Sequence, residues 1–501
     1  MGKLARRLAM GLLAVGLALA APALAQEPPS MNRTAAYARL DALFETFARE
    51  RHAPGLVYGV VVDGRLDHVK AFGVQDLESR RPVDADSVFR IASMTKNFTA
   101  LSILGLRDEG KLSLEAPVET LVPQFRAVRH PGDAPLVRIR DLVHHTGGFV
   151  TDDPWGDRQL DMDAAAFDAL IGGGLPFSRA TGAGFEYSNF GYAVLGRVIE
   201  AASGQAYPDY VRHKLLAPLG MAAATFEVET IPADRRALGY AWIEDALVEQ
   251  PMLGHGAFGS MGGLAVSAND YAKYVAWLLA AWPPRAGPET GPLTRATVRE
   301  MAMGYGPPQR RPVDNDGCED AAVYGAGTIV MNDCVLGTYL THSGGLPGYG
   351  SNVLLMPDRG VAIFAFANVT YAPASLVVRE AALELDRAGV IPVRALPATP
   401  ELERAREAVL AAYAAGNIEA APDAWAMNFR LDREAYLWNA ELQRLRAELG
   451  ACADAGPLTA QSAMSGTFTL RCERGELDAS LTLAPTTPQA IQRLKLTRAE
   501  D

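Results

Sequence analysis

The alternation of apolar and polar residues divides the chain into segments of different period. Residues 34 to 50 place Leu40, Leu43, Phe44 and Phe47 at helical spacing, which predicts an amphipathic helix. "GLVYGVVVDGRLDHVKAFG" (55 to 73) carries two runs rich in β-branched residues around Asp63-Gly64, the signature of a β-hairpin. From Ser93 to Glu109 the chain is apolar on most sides, through Met94, Phe98, Leu101, Ile103, Leu104 and Leu106, and the pattern stops at Gly110. A helix that is apolar all round is a buried one.

Residues 112 to 310 read mostly as helices and loops, with many Gly and Pro. Strand patterning returns at "VYGAGTIV", "GTYLTHSG", "SNVLLMP" and "GVAIFAFANV". Pro357-Asp358-Arg359-Gly360 turns the chain between the last two, and a helix follows at about 373 to 387. Strands from both ends of this region are expected to share one antiparallel sheet flanked by helices, with the helical middle as a second lobe. Near residue 394 the pattern changes. "IPVRALPATPELERAREA" is a Pro-containing linker and a charged helix, 433 to 449 reads as another helix, and "GTFTLRCERGELDASLTLAP" with "AIQRLKLTR" reads as a β-meander. The division expected is 1–25 as a leader, 26–393 as the main domain and 394–501 as a small α+β accessory domain in which nothing looks catalytic.

With 49% hydrophobic and 21% charged residues among 501, the chain belongs with globular proteins. A net charge of -11 leaves no basic surplus to neutralise phosphates, which argues against nucleic acid as a partner. Lys3, Arg6 and Arg7 precede an apolar run too short for a comfortable membrane span, and Ala23-Leu24-Ala25 offers a small-residue cleavage site. This reads as an export signal cut after Ala25. It predicts a periplasmic or secreted protein with no stable membrane anchor. Four cysteines, Cys318, Cys334, Cys452 and Cys472, allow three connectivities, and sequence neighbourhood favours 318 with 334 and 452 with 472. The oligomeric state is not legible.

Candidate chemistry begins at "FRIASMTKNF" (89 to 98). Ser93 and Lys96 are three apart, so a helix starting there puts hydroxyl and amine on one face. A serine hydroxyl needs a neighbouring base to become a nucleophile, and lysine serves only if its pKa is lowered. Alone the pair is weak, since roughly one chain in four of this composition would carry one by chance. Two further motifs follow in order: Tyr187-Ser188-Asn189 in "GFEYSNFGYAVLG", and His342-Ser343-Gly344 in "THSGGLPGYGSN". His144-His145 lacks the Glu and Cys of a metal site, and His-Glu-x-x-His is absent, so neither a metal nor an organic cofactor is expected. His255 reads as a loop histidine.

Together the three motifs resemble the active site of the penicillin-recognising serine hydrolases. The resemblance is to the group holding class C β-lactamases, D-alanyl-D-alanine carboxypeptidases, D-aminopeptidases and related esterases. It covers about residues 34 to 390 and includes "LRDEGKLSLEAPV", "IRDLVHHTGGF", "LLAPLGM" and "GSMGGLAVSANDYAKY". It implies an α+β fold of β-lactamase/transpeptidase type and an exported hydrolase acting through a Ser93 acyl-enzyme. Lys96 and Tyr187 are alternative bases, and the oxyanion hole is formed by the backbone N–H groups of Ser93 and Gly345. Asn189, His342, Ser343 and Gly344 are implied substrate-binding residues, with Asn189 also orienting Lys96. The segment around His144-His145 is implied to support the site. The third motif departs from the Lys-Thr-Gly usual among the β-lactamases of the group. Histidine is largely neutral at pH 7, which weakens carboxylate recognition or leaves it to an arginine elsewhere, and favours small esters or D-amino-acid peptides as substrates. A class C-like β-lactamase and a low-turnover penicillin-binding sensor are the alternatives.

Overall fold

The computed structural model describes residues 33–312 and 319–499. The expected leader and Cys318 lie outside the described residues. Gly55–Val62 (β1) is buried along its whole length. Asp63 and Gly64 both take positive φ, 51° and 78°, so the chain reverses tightly into Arg65–Gly73 (β2), as the Asp-Gly pair predicts. Six later strands complete one antiparallel sheet: Gln309–Pro312 (β3), Glu319–Tyr324 (β4), Ile329–Asp333 (β5), Gly337–Leu346 (β6), Tyr349–Met356 (β7) and Val361–Ala367 (β8). Their order is β2-β1-β8-β7-β6-β5-β4-β3. The early hairpin and the late strands meet where Leu56 to Val62 lie opposite Ala367 to Val361.

β8 is buried on both faces and separates two cores. Phe364 and Phe366 pack with Phe98, Leu101 and Tyr271 on the side of the helical lobe. Ile363 and Ala365 pack with Leu40, Phe44, Val378 and Leu385, from helices Arg33–Glu50 (α1) and Ala374–Arg387. The continuous apolar run of β8 is the pattern of a strand covered by helices on both sides. The helical lobe contains Thr95–Asp108 (α2), buried from Thr95 through Leu106, and Asn189–Ser203 (α3). This is the expected sheet, helical cover and helical lobe.

Two local expectations are corrected. "VYGAGTIV" is not one strand: β4 ends at Tyr324 and β5 begins at Ile329. Gly327 takes φ 71° between them, and a Cβ there would press on the Lys96 carbonyl, so the turn is shaped by α2. The middle of the chain also holds two short ribbons, Val88–Arg90 with Ala265–Ser267 and Tyr240–Ile243 with Ala246–Glu249.

Beyond the linker, helices Pro400–Ala415 and Ala435–Leu449 pack on a five-stranded sheet around a separate core that includes Leu402, Trp438, Leu470 and Leu481. Cys452 and Cys472 are disulfide-bonded across adjacent strands. Cys334 is also disulfide-bonded. Among the described residues no helix is long and apolar enough to cross a membrane.

Candidate active site

Ser93 sits in a single 3₁₀ turn, Ala92–Met94, that leads straight into α2. The turn is reached through Ala92 at φ 49°, a left-handed conformation that a non-glycine residue adopts at a cost of roughly 1–3 kcal/mol. The turn is held from below by β6 and β7. Ser351 donates to the Ile91 carbonyl at 2.9 Å, and Gly344 approaches so closely that a Cβ would meet the Ile91 carbonyl oxygen and the Ser351 hydroxyl. Gly344 therefore belongs to the support of the nucleophile turn and does not line the cavity.

Lys96 is fully buried. Its ammonium donates to Ser93 Oγ at 3.0 Å, Asn189 Oδ1 at 2.7 Å and the Met261 carbonyl at 2.9 Å, and stands 4.9 Å from the Tyr187 ring centroid. Burial pushes Lys96 down from 10.5 to about 8, against the opposing pull of Asp153, Asp157 and Asp152. Tyr187 shares a hydrogen bond with Ser93 and is half-buried at the cavity wall. Desolvation first, and Asp153 second, hold its phenol well above 10.

The third motif comes in on β6. His342 is buried, with Nε2 3.0 Å from the Tyr324 hydroxyl and Nδ1 2.6 Å from the Ser343 carbonyl. Burial and the nearby Lys96 charge lower it to about 3, so it is neutral at pH 7. Ser343 is exposed, and its Oγ accepts from the Asn352 amide at 3.0 Å. Asn189, at the start of α3, is wholly buried. It accepts from Lys96 and donates to Asp153, which leaves it orienting the amine and not facing the cavity. His145 lies directly behind Tyr187, ring centroids 4.4 Å apart, and its Nδ1 accepts from the Ser188 backbone at 3.1 Å. His255 stacks on Tyr207 at 5.9 Å, away from the site.

A cavity of about 440 Å³ opens onto these groups, lined by Ser93, Tyr187, His342, Ser343 and Gly345 together with Ile329, Asp153, Pro154, Asp157 and Tyr371. A larger depression of about 750 Å³, near Arg212 and Arg235, contains none of the motif residues. The carboxylates and Tyr371 are absent from the sequence reading. Asp157 accepts from the Tyr371 hydroxyl at 3.0 Å and is pushed up to about 6, by burial first and the neighbouring Asp153 second. Tyr371 lies against Gly345, where a Cβ would stand 2.6 Å from its ring. The run "DDPWGD" (152 to 157), with three carboxylates in six residues, is the one signal that marks this loop. Asp152 is consumed as a cap, accepting from Asn189 N and Phe190 N at 2.7 Å each. Among the described residues no group of three or more His, Cys, Asp or Glu is arranged to hold a metal ion.

Comparisons with known proteins find relatives in sequence and in fold. Esterase EstB of Burkholderia gladioli is 36% identical over 210 residues, 38% of this chain and 52% of that protein. Protein flp of Staphylococcus aureus (strain MW2) is 27% identical over 344 residues, 67% of this chain and 64% of that protein. The chain thus spans less than two thirds of the length of either relative. Among solved structures, the octameric penicillin-binding protein homologue from Pyrococcus abyssi superposes with a TM-score of 0.60 at 21% identity, covering 92% of this chain and 99% of that one. A class C β-lactamase mutant superposes with a TM-score of 0.56 at 19% identity, over 70% and 97%. These structures share the fold. The model of the Beta-lactamase family matches residues 40–388, most of the chain, and the protein belongs to that family.

Proposed function

We propose that this protein is a serine hydrolase that opens ester or amide bonds through an acyl-enzyme on Ser93. The observation that carries the reading is Lys96. A fully buried amine lies 3.0 Å from the Ser93 hydroxyl with its pKa brought down to about 8, behind a cavity that the serine itself lines. At pH 7 about one tenth of such a lysine is neutral and able to take the Ser93 proton. Tyr187 is the weaker candidate base, because burial and Asp153 oppose its ionisation. The proton that Lys96 takes from Ser93 is returned to the leaving group, and the Tyr187 hydroxyl, bonded to Ser93, can relay it by accepting one proton as it gives up another, so that no phenolate forms. Ser93 Oγ attacks the carbonyl carbon, the leaving group departs with the proton, and water then releases the acyl group by the same route. The oxyanion is received by the backbone N–H groups of Ser93 and Gly345. Such donors are each worth roughly 2.7–4 kcal/mol in the transition state.

Small esters and D-amino-acid peptides are the proposed substrates. The name of the Burkholderia relative supports the ester side. The neutral His342 supports esters over β-lactams, since it supplies no cation for a carboxylate. We also propose that residues 1–25 direct export to the periplasm or beyond, that 26–393 form the hydrolase domain and that 394–501 form an accessory domain. The test is a fluorophosphonate probe with p-nitrophenyl acetate, a D-alanyl peptide and nitrocefin as substrates. Wild type should be labelled and should turn over the ester or the peptide, and Ser93→Ala should do neither. Equal labelling of Ser93→Ala would remove the serine from its role, and nitrocefin turnover faster than the ester's would favour a β-lactamase.

A further inference from the structure

Among the described residues that line it, the cavity in front of Ser93 carries negative charge and no cation. Of the residues lining it, two are carboxylates, Asp153 and Asp157, and none is lysine or arginine. His342 contributes no charge. Lys96 lies behind the serine with its ammonium already given to Ser93, Asn189 and Met261. Arg158 is exposed beside the cavity, where its guanidinium donates to the Tyr371 hydroxyl and to the Pro154 carbonyl at 3.5 Å each, and among the described contacts it ion-pairs with neither carboxylate. Asp153 is exposed at the mouth and holds one hydrogen bond, from the Asn189 amide.

Asp157 is the second, independent observation. Its side chain is 3% exposed, and its Oδ2 accepts from Tyr371, but Oδ1 is buried with no partner. A buried carboxylate oxygen left unpaired is costly, and native proteins rarely keep one without a use. Holding Lys96 ionised does not account for it. Asp153 and Asp152 serve that purpose too, and both have their hydrogen bonds.

We propose that Asp153 and Asp157 receive a protonated amine of the substrate, so that the preferred ester or amide carries an ammonium group within a few bonds of the scissile carbonyl. The proposal rests on the reading of Ser93 as nucleophile. It extends that reading from bond type to the charge of the compound. A carboxylate at the same place meets two like charges.

Three boronic acids that add reversibly to a serine nucleophile provide the test: 3-(aminomethyl)phenylboronic, 3-methylphenylboronic and 3-carboxyphenylboronic acid. Each competes with fluorophosphonate labelling of the full chain at pH 7.5. The ammonium compound should protect at a concentration at least tenfold below the methyl compound, and the carboxylate should protect least. In Asp153→Asn/Asp157→Asn the ratio of ammonium to methyl should fall to within threefold of one. A role confined to Lys96 would move all three compounds together and leave the ratio unchanged, which overturns the proposal. So does equal protection by all three in the wild type. Labelling that persists in Ser93→Ala removes the nucleophile and the amine site with it. If the double variant does not fold, Asp153→Asn alone, at an exposed position, should lower the ratio at least threefold, and an unchanged ratio there overturns the proposal.

Discussion

The amine of Lys96 is poised because burial and three carboxylates pull its pKa in opposite directions. Burial prevails and leaves it at about 8. If the neutral amine is the base, kcat/KM for p-nitrophenyl acetate should rise about tenfold between pH 7 and pH 9, with a midpoint about 8. A flat profile across that range would remove Lys96 as the base. Tyr187→Phe keeps the ring and its contact with His145 but loses the hydroxyl bonded to Ser93. It should lower kcat by about two orders of magnitude with the melting temperature little changed, measured by stopped assay and thermal melt. Ser93, Lys96, Tyr187 and His342 could be picked out because each belongs to a short pattern in or just before a regular element. Asp157 and Tyr371 were not. They meet across 214 positions of sequence, from loops whose residues carry no period.

At the level of elements, the hairpin 55–73, the buried helix after Ser93 and the all-apolar β8 could be read directly, since burial leaves a mark at every position. The split of "VYGAGTIV" could not, because what bends the chain at Gly327 is the backbone of α2, far away in sequence. The same kind of close approach governs β6. Adding a methyl group in Gly344→Ala would push the strand off the Ser93 turn, and overpacking of this kind costs roughly 1–3 kcal/mol. The expected result is a lower melting temperature together with a lower kcat, since the same strand carries Gly345. Loss of stability with full activity would show that the strand does not set the geometry of the serine. Three non-glycine residues with positive φ, Ala92, His145 and Tyr371, stand around the cavity, so the site is held in place by strain that the surrounding packing sustains.

For the molecule as a whole, two buried and two half-buried histidines contribute to the response to acid. Burial lowers His342 to about 3, His144 and His255 to about 4, and His145 well below its usual 6.5. The unfolded chain takes up protons near 6.5 and the folded one resists. The stability these residues contribute is therefore complete above about 6.5 and is lost as pH falls toward 4. A histidine held from 6.5 down to about 4 withdraws roughly 3 kcal/mol over that interval. Asp157, raised from 3.8 to about 6, works in the opposite sense between those values and offsets part of the loss. Urea unfolding should show the protein less stable at pH 4.5 than at pH 7 by several kcal/mol, and equal stability would mean that these rings are charged or solvated when folded. In the C-terminal part, the Cys452–Cys472 bond closes a loop of 20 residues and is worth roughly 3 kcal/mol. Its core shares no residue with the cores around the sheet and helical lobe. Cys452→Ala/Cys472→Ala should therefore lower the melting of that part while ester hydrolysis continues.

The bond from Tyr371 to Asp157 ties the segment after β8 to the helical lobe along the wall of the cavity that both line. A compound that displaces Tyr371 must break it, and a hydrogen bond to a carboxylate is worth roughly 1.5–3 kcal/mol. A hydrolase acting through Ser93 would then sort its substrates by girth. Tyr371→Phe unfastens that tether, and the measure of it is the activity on a naphthyl ester relative to p-nitrophenyl acetate, which should rise severalfold.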